Sequence, residues 1–345
     1  MKGSAADQRS SGRSTCGRGC AIHRFLFQLA SVRLPCSAER VSEGYDVRLA
    51  SALKDEGYDY TGMTRLIKAG ELIRVRHGAY AMTPADDALM EHRRLIVATL
   101  PRCGDVCLSH ASAAVLHCLP TWTADLDRVH AIKWRGGHGR RGRNLHIHTA
   151  ALDGDEIVRI GGVPVTCLAR TVVDCASTYP YEKAVPIGDA ALRAGLLREE
   201  LERALRRARN RTGISRARRV ADFLDGRAES VGESRSRITF SRIGIPMPEP
   251  QFEIADWDGR SVARTDFGWG SQRTVGEFDG KIKYGRLIGP GEKPEDAVFR
   301  EKIREDRIRD LGWEVVRWTW ADLDEPRQLA TRLQRAFSRG LRRST

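Results

Sequence analysis

The stretch from Arg264 to Tyr284, RTDFGWGSQRTVGEFDGKIKY, constrains the fold more than any other part of the chain. It holds two runs of strand-forming residues, VARTDFGW and QRTVGEFD, joined by a short Gly–Ser turn, and this order predicts a β-hairpin. Side chains on a strand alternate between its two faces. Glu277 and Asp279 therefore share one face, and the hairpin would bring Asp266 opposite them.

The acids of this hairpin predict a divalent-metal site. A buried carboxylate must be paired or must bind a metal ion, and Mg²⁺ prefers oxygen ligands. With Lys281 and Lys283 just beyond, the three carboxylates of Asp266, Glu277 and Asp279 suit a divalent-metal site for phosphodiester chemistry. The alternative is a set of ion pairs at a solvated sheet edge, with Arg264, Lys281 or Lys302 as partners.

The charge balance favours a polyanionic partner. The sequence has 58 Lys and Arg residues against 45 Asp and Glu, which gives a formal net charge of +13. DNA is the predicted partner, and the alternative is that the excess reflects general composition. With 41% hydrophobic and 30% charged residues, the chain is predicted to be a soluble globular protein, long enough at 345 residues for more than one domain.

The eight cysteines contain no C-x-x-C pair and no doublets at zinc spacing. They are predicted to be reduced thiols of a cytoplasmic protein. No apolar run reaches the roughly 18 residues that a membrane-spanning helix needs, so no membrane association is predicted.

Two histidines, His146 and His148, share one face of a predicted strand, which suits a metal ion. Because no third ligand is visible in the sequence, a surface or packing role is the favoured interpretation.

The chain divides into four predicted regions. Residues 1–44 are a basic, poorly ordered tail, with a helix predicted at 21–33, and residues 45–84 form a DNA-binding domain. Residues 85–225 form a middle domain, and residues 226–345 a C-terminal domain.

The second region has the order of a winged helix. A helix at 47–56 and another at 62–69 are followed by a two-stranded hairpin. In this interpretation the second helix enters the major groove and the hairpin touches phosphates. The alternative is a helical hairpin whose basic side chains are merely solvated. The predicted DNA-binding residues are Thr61, Thr64, Arg65 and Lys68 on the helix, and Arg74, Arg76 and His77 on the hairpin.

Residues 66–80, LIKAGELIRVRHGAY, resemble the N-terminal winged-helix domain of the AbiEi family. These proteins are antitoxins of type IV toxin–antitoxin systems that repress their own operons. The resemblance implies DNA binding and a cognate toxin as partner. It also implies a first helix, for which the segment 21–33 is the candidate. Within the middle domain, SHASAAVLHCLP, VTCLARTVVDCA and GDAALRAG resemble the second domain of such proteins, with no chemistry implied.

From Glu229 onward the predicted order is one helix, three strands, a helix, a strand and a helix. This order resembles the PD-(D/E)XK nuclease core, in particular its very-short-patch-repair-like branch. The resemblance rests on Glu233 in GESRSR, Asp266 in RTDFGW, the run from Glu277 to Gly280, and Arg317-Trp318. It implies Mg²⁺ held by Asp266 and Glu277, with Glu233 as a third acid. The sequence departs from the family where Asp279 replaces the lysine of E-x-K, and the nearest bases are Lys281 and Lys283.

The predicted fold class is therefore α/β (α+β overall): a winged helix, a mixed middle domain and a restriction-endonuclease-like core. Three functions are compatible with it. The first, which is the favoured function, is a DNA-binding regulator of the antitoxin type. The second is a Mg²⁺-dependent DNA endonuclease targeted by its N-terminal domains. The third is an interaction protein of a defence cassette, which would have no affinity for DNA. The oligomeric state is not predicted by any pattern.

Overall fold

The computed structural model of the chain describes residues 46–133, 138–280 and 294–343, to which all structural statements below refer. The fold is mixed α/β with three sheets, which confirms the predicted class. The predicted tail and the helix at 21–33 lie outside the described residues. In the part of the chain that is described, no helix is both long enough and apolar enough to cross a bilayer.

The N-terminal part combines two helices with a small sheet. In chain order it contains β1 (Val47–Leu49), α1 (Ala50–Asp55), α2 (Tyr60–Ala69), β2 (Ile73–Arg76) and β3 (Ala79–Ala81). The sheet is antiparallel, in the order β1-β3-β2, and Leu53, Met63, Leu72 and Tyr80 form its core. The prediction of helix from Val47 was wrong for the first residues. Val47 to Leu49 pair with β3 instead, and the sheet contacts outweigh the local helical spacing.

The next part is built on a six-stranded sheet. Its elements are α3 (Ala88–Thr99), β4 (Val106–Leu108), α4 (His110–Leu116), β5 (Val129–Lys133), β6 (Arg140–Arg141), β7 (Leu145–His148), β8 (Ile157–Ile160) and β9 (Val163–Thr166). The strand order is β6-β7-β5-β4-β9-β8, with β5 parallel to β7 and β4 parallel to β9. One sheet face packs on α3 and α4, whose contributions to the shared core include Leu95, Ile96, Ala113 and Leu116.

A helical layer follows, formed by α5 (Leu168–Thr178), α6 (Tyr181–Arg193), α7 (Arg198–Arg207) and α8 (Ile214–Phe223). Its core is rich in alanine and valine, so the helices approach closely around the buried α5. Arg170 of α5 is fully buried and forms ion pairs with Glu156 and Asp174. A buried arginine is tolerated because both of its acidic partners are buried with it.

The C-terminal part has the predicted order of elements, except that two helices stand where one was predicted after the last strand. It contains α9 (Val231–Ile243), β10 (Glu249–Ala255), β11 (Ser261–Trp269), β12 (Thr274–Phe278), α10 (Pro294–Asp310), β13 (Glu314–Trp318), α11 (Trp320–Asp324) and α12 (Pro326–Arg343). The sheet order is β10-β11-β12-β13, with β12 and β13 parallel. The predicted hairpin is confirmed, since Phe267 pairs with Gly276 and Trp269 with Thr274 in antiparallel register.

The two faces of this sheet have different cores. An aromatic cluster lies on the side of α9 and α12, and it includes Phe240, Phe267, Trp269, Phe278 and Trp318. The opposite face packs on α10 through Val275, Ile308 and Trp313. Because neighbouring residues of β12 alternate between these faces, Glu277 lies on the α10 side.

The predicted domain boundaries at 84/85 and 225/226 fall in connecting segments, the second of them between α8 and α9. Buried contacts nevertheless cross that connection. Ile238 of α9 belongs to the core of the helical layer, and Arg237 forms an ion pair with Asp189 of α6. Helix α9 therefore packs both on the helical layer and on the aromatic cluster of the C-terminal sheet.

Candidate functional site

The first candidate surface is formed by α2 and the β2–β3 hairpin. Asp59 caps the N-terminus of α2, and its Oδ1 accepts a hydrogen bond from the backbone N–H of Gly62 at 2.6 Å. Gly70 caps the C-terminus, where the backbone is left-handed with φ 77°. Met63 is buried on one side of the helix, which leaves the other side to solvent.

The predicted DNA-binding residues divide into an exposed set and an internal set. Exposed are Thr61, Arg65 and Lys68 on α2, with Arg74 and His77 on the hairpin. Thr64 is half-buried, and its Oγ1 donates to the carbonyl of Tyr60 at 2.8 Å, as a residue of the helix interior does.

Arg76 has a structural role. Its Nε donates to the carbonyl of Ala98 at 2.8 Å, Nη2 donates to the same oxygen, and Nη1 donates to the carbonyl of His77. Burial lowers the pKa of its guanidinium. Arg76 therefore ties the hairpin to the end of α3, a contact that the local sequence pattern could not reveal.

The second candidate site is the group of acids in the C-terminal part. Glu233, in the first turn of α9, is 5% exposed. Its carboxylate accepts hydrogen bonds from the backbone N–H of Glu229 at 2.8 Å, from Ser230 Oγ at 2.7 Å and from Gln251 Nε2 at 2.8 Å. Burial and the nearby charge of Asp266 raise the pKa of Glu233 to about 7. Glu233 and Asp266 therefore lie close enough for their charges to interact.

Asp266 links the two strands of the hairpin. Its Oδ2 accepts a hydrogen bond from the backbone N–H of Phe278 at 2.8 Å, just beyond the last paired residues, Phe267 and Gly276. The carboxylate of Asp266 therefore lies where the pairing of β11 with β12 ends. Glu277 is the residue just before Phe278, whose N–H the carboxylate accepts.

Glu277 has basic partners on α10 and β13. Its Oε1 lies 2.7 Å from Arg304 Nη1, and its Oε2 lies 3.0 Å from Arg317 Nη2. Ion pairing was the alternative predicted for these acids, but with other partners: Arg264 pairs instead with Glu229, at 3.1 Å. The sequence signal for Arg304 was the alternation of acids and bases along EKIREDRIRD, which indicates a charged helix face.

The carboxylates do not converge on one point. Within 46–133, 138–280 and 294–343, the one group of three metal-type ligands whose donor atoms all lie within 4.8 Å of one another consists of histidines. Asp266 lies with Glu233, while Glu277 lies with its two arginines. A cation bound to Glu277 would therefore compete with Arg304 and Arg317 for its carboxylate oxygens.

The remaining predicted site residues add little to this group. The backbone N–H of Asp279 donates to the carbonyl of Trp318 at 2.7 Å, which extends the pairing of β12 with β13. Lys281 and Lys283 lie outside the described residues.

The five cysteines that the structure describes are free thiols, as predicted, namely Cys103, Cys107, Cys118, Cys167 and Cys175.

No protein-family model matches the sequence. Among solved structures, the chain is similar to the Rv2827c protein of Mycobacterium tuberculosis, with 18% identity over 56% of this chain and 78% of that one. The TM-score of 0.37 is too low to indicate a common fold.

Two curated proteins of Mycobacterium tuberculosis are more similar in sequence. They are the uncharacterized protein Rv2248 of strain ATCC 25618 / H37Rv and the uncharacterized protein MT2308 of strain CDC 1551 / Oshkosh. Each is 31% identical over 277 residues, which cover 79% of this chain and 95% of the relative. The chain therefore belongs to the same family as Rv2248 and MT2308.

Proposed function

We propose that the chain is a DNA-binding regulator of the antitoxin type, which carries a nuclease-like C-terminal domain. The observation that supports this most is the exposed basic group of Arg65, Lys68, Arg74 and His77, presented by α2 and the adjacent hairpin. In this proposal α2 is the recognition helix and the hairpin is the wing, in keeping with their order in the chain. The net charge of +13 favours the same partner.

The regulatory role depends on the resemblance of residues 66–80 to AbiEi proteins. It includes a cognate toxin as partner and a cytoplasmic location, in keeping with the free thiols of the described cysteines. Binding of the full-length protein to labelled duplex DNA, measured by fluorescence anisotropy over a range of salt concentrations, tests the DNA-binding part. Phosphate contacts require that affinity falls steeply with salt. Undetectable binding at low salt would leave the interaction protein as the better interpretation.

The second candidate function is a metal-dependent DNA endonuclease. One observation favours it: Glu233 is buried beside Asp266, and its pKa is raised to about 7. Two acids held together in this way are costly for the fold, and such pairs are concentrated at functional sites. The engagement of Glu277 by Arg304 and Arg317 counts against a resident cation.

Plasmid nicking with Mg²⁺ or Mn²⁺ separates the two functions. Nicking by the wild type that is lost in Glu277→Ala and in Asp266→Asn would establish the endonuclease. Supercoiled DNA that is bound but not cut by any of the three proteins would indicate a regulator whose nuclease-like domain is silent.

A further inference from the structure

Four histidines gather on one face of the six-stranded sheet. His146 and His148 share a face of β7, and β5 runs parallel beside it with His130 opposite His146. His110, the first residue of α4, reaches the same place from the end of β4, and its ring stacks on that of His148 with 3.7 Å between centroids. The third and fourth histidines, which the sequence did not indicate, come from elements distant in the chain.

Three of these rings hold nitrogen atoms close to one another. His110, His130 and His148 each offer a nitrogen, and all three atoms lie within 4.8 Å of one another. His130 Nδ1 and His148 Nε2 are 2.9 Å apart. Around a tetrahedral zinc ion with bonds of about 2.0–2.1 Å, ligand nitrogens are separated by roughly 3.3 Å. Small side-chain rotations are therefore enough to place the three nitrogens around one ion.

The backbone and a serine hold His110 in this position. Its φ is 49°, in the left-handed region that a histidine rarely adopts. Its Nδ1 contacts Ser109 Oγ at 2.9 Å, which leaves Nε2 available to a ligand. Histidines that bind metals are commonly oriented in this way, with the second ring nitrogen engaged by a neighbouring polar group.

A buried chain of hydrogen bonds positions His130. Its backbone N–H donates to Ser112 Oγ at 2.8 Å. Ser112 Oγ lies 2.9 Å from His92 Nε2, and His92 Nδ1 lies 2.8 Å from the carbonyl of Leu126. Because a carbonyl only accepts, the His92 proton is on Nδ1, and Ser112 donates to Nε2. Strand β5 is thereby fixed against α3 and α4.

The three proposed ligands are all imidazoles, and His110 is buried. Neutral imidazole is the form that binds metals, and it selects zinc and related transition metals over Mg²⁺ or Ca²⁺, which prefer oxygen ligands.

We propose that His110, His130 and His148 form a binding site for a transition-metal ion, with Zn²⁺ as the best match. Three protein ligands leave one coordination position open to water or to a small ligand, as in catalytic zinc sites. His130 and His148 are only partly buried, so an ion can enter from solvent. The site is separate from the surfaces assigned to DNA and to the carboxylates.

The test is zinc binding by the full-length protein after dialysis against a chelator. Zn²⁺ is titrated in competition with a chromophoric chelator, for the wild type, His148→Gln, Ser109→Ala and the control His117→Gln. His117 is a matched control because it is an internal histidine outside the cluster, with Nε2 2.7 Å from the carbonyl of Thr166. Cysteines elsewhere in the chain are present in every variant, so any zinc they bind cancels in the comparison.

The wild type and His117→Gln are expected to bind zinc equally. Ser109→Ala should lose roughly 10–100-fold in affinity, as outer-shell replacements do, and His148→Gln should lose more. Co²⁺ should give visible absorption bands that disappear in His148→Gln. Zinc should also raise the melting temperature of the wild type but not of His148→Gln, which shows in the same measurement whether that variant is folded.

Two results would overturn the proposal. One is a zinc affinity that is unchanged in His148→Gln. The other is the absence of zinc binding and of zinc-dependent stabilisation in the wild type, which would make the cluster a set of hydrogen-bonded packing histidines. If His148→Gln does not fold, Ser109→Ala takes its place as the test variant. An unchanged zinc affinity in Ser109→Ala would also contradict the proposal.

Discussion

Glu277 Oε1 lies 2.7 Å from Arg304 Nη1, so the acid that the sequence assigns to metal binding is the partner of an arginine. Arg317 holds the other oxygen at 3.0 Å. Arg304 also donates to the carbonyl of Arg264 on β11, which fixes its guanidinium between strand and carboxylate. A cation at Glu277 must compete with this preformed positive charge. The competition can be measured.

Replacement of Arg304 by glutamine should increase the affinity for Mn²⁺ if Asp266 and Glu277 bind a metal. A charge-assisted hydrogen bond contributes about 1.5–3 kcal/mol, so its removal should lower the Kd by about tenfold or more. Isothermal titration with Mn²⁺ measures the effect, and Arg335→Gln, at an exposed position on α12, is the control. If Mn²⁺ binds neither to the wild type nor to Arg304→Gln, the acids serve only the ion-pair network.

Arg65→Ala and Lys68→Ala should each weaken DNA binding on all sequences if α2 contacts DNA. Each lost phosphate contact should reduce the slope of log affinity against log salt by about 1. Fluorescence anisotropy at several salt concentrations gives both quantities. Arg206→Ala removes a base of comparable exposure from α7, where the side chain is 67% exposed, and should leave the slope unchanged. Equal effects of all three replacements would mean that only net charge matters.

Arg76→Ala should lower the free energy of unfolding, whereas Arg74→Ala, on the same strand, should leave it nearly unchanged. Arg76 donates to the carbonyls of Ala98 and His77, and hydrogen bonds from a charged donor contribute about 1.5–3 kcal/mol. Arg74 is exposed, and its replacement should change the free energy of unfolding by less than about 0.5 kcal/mol. Urea denaturation distinguishes the two variants, and a stable Arg76→Ala protein with reduced DNA affinity would contradict this assignment.

Local patterns predicted much of this structure. The run of elements from α9 to α12 follows from alternation, helical spacing and turn residues, and the hairpin around Asp266 and Glu277 was read from the same signals. The strand at Val47–Leu49 was missed because it has only three residues, and pairing with β3 decides its state. A short segment carries too little local information to outweigh a tertiary partner.

The unpredicted contacts all join residues that are distant in the chain. Glu277 meets Arg304 and Arg317 because α10 and β13 pack against β12. His148 meets His110 because α4 begins beside β5. Spacing within one element indicates which side chains share a face. It does not indicate which other element covers that face, so ligand sets and ion pairs between elements required the structure.

Gly276→Ala should destabilise the C-terminal sheet. A Cβ at this position would lie 2.5 Å from the Trp318 ring and 3.0 Å from that of Trp269, inside the aromatic cluster. Added volume in a packed core costs about 1–3 kcal/mol. Gly270→Ala is the matched control in the same hairpin, since its Cβ would meet no atom within 4 Å. Thermal unfolding compares the two, and equal melting temperatures would show that the tryptophans move aside without cost.

Arg237→Met should cost more stability at pH 8 than at pH 5. Arg237 Nη1 lies 3.0 Å from Asp189 Oδ2 in the buried connection between α6 and α9. Burial raises the pKa of Asp189 from its ordinary 3.8 to about 6, while Arg237 opposes the rise. When folding raises the pKa of an acid, the contribution of that acid to stability is fully present at pH values below its pKa in the unfolded state. The contribution is lost as the pH rises through its pKa in the folded state. Without Arg237 the folded pKa rises further, so the loss becomes larger and extends to higher pH.

At pH 8 the expected cost is about 3–5 kcal/mol, the range for a buried charge left without its partner. At pH 5 the carboxyl of Asp189 can take up a proton, so no unpaired charge stays buried. The cost at this pH is then limited to the lost contacts of Arg237 with Phe223. Urea denaturation at both values measures the difference. In the double variant Asp189→Asn/Arg237→Met no carboxyl remains to titrate, so the excess cost at pH 8 should disappear. An equal cost of Arg237→Met at both pH values would mean that Asp189 stays charged regardless of its partner.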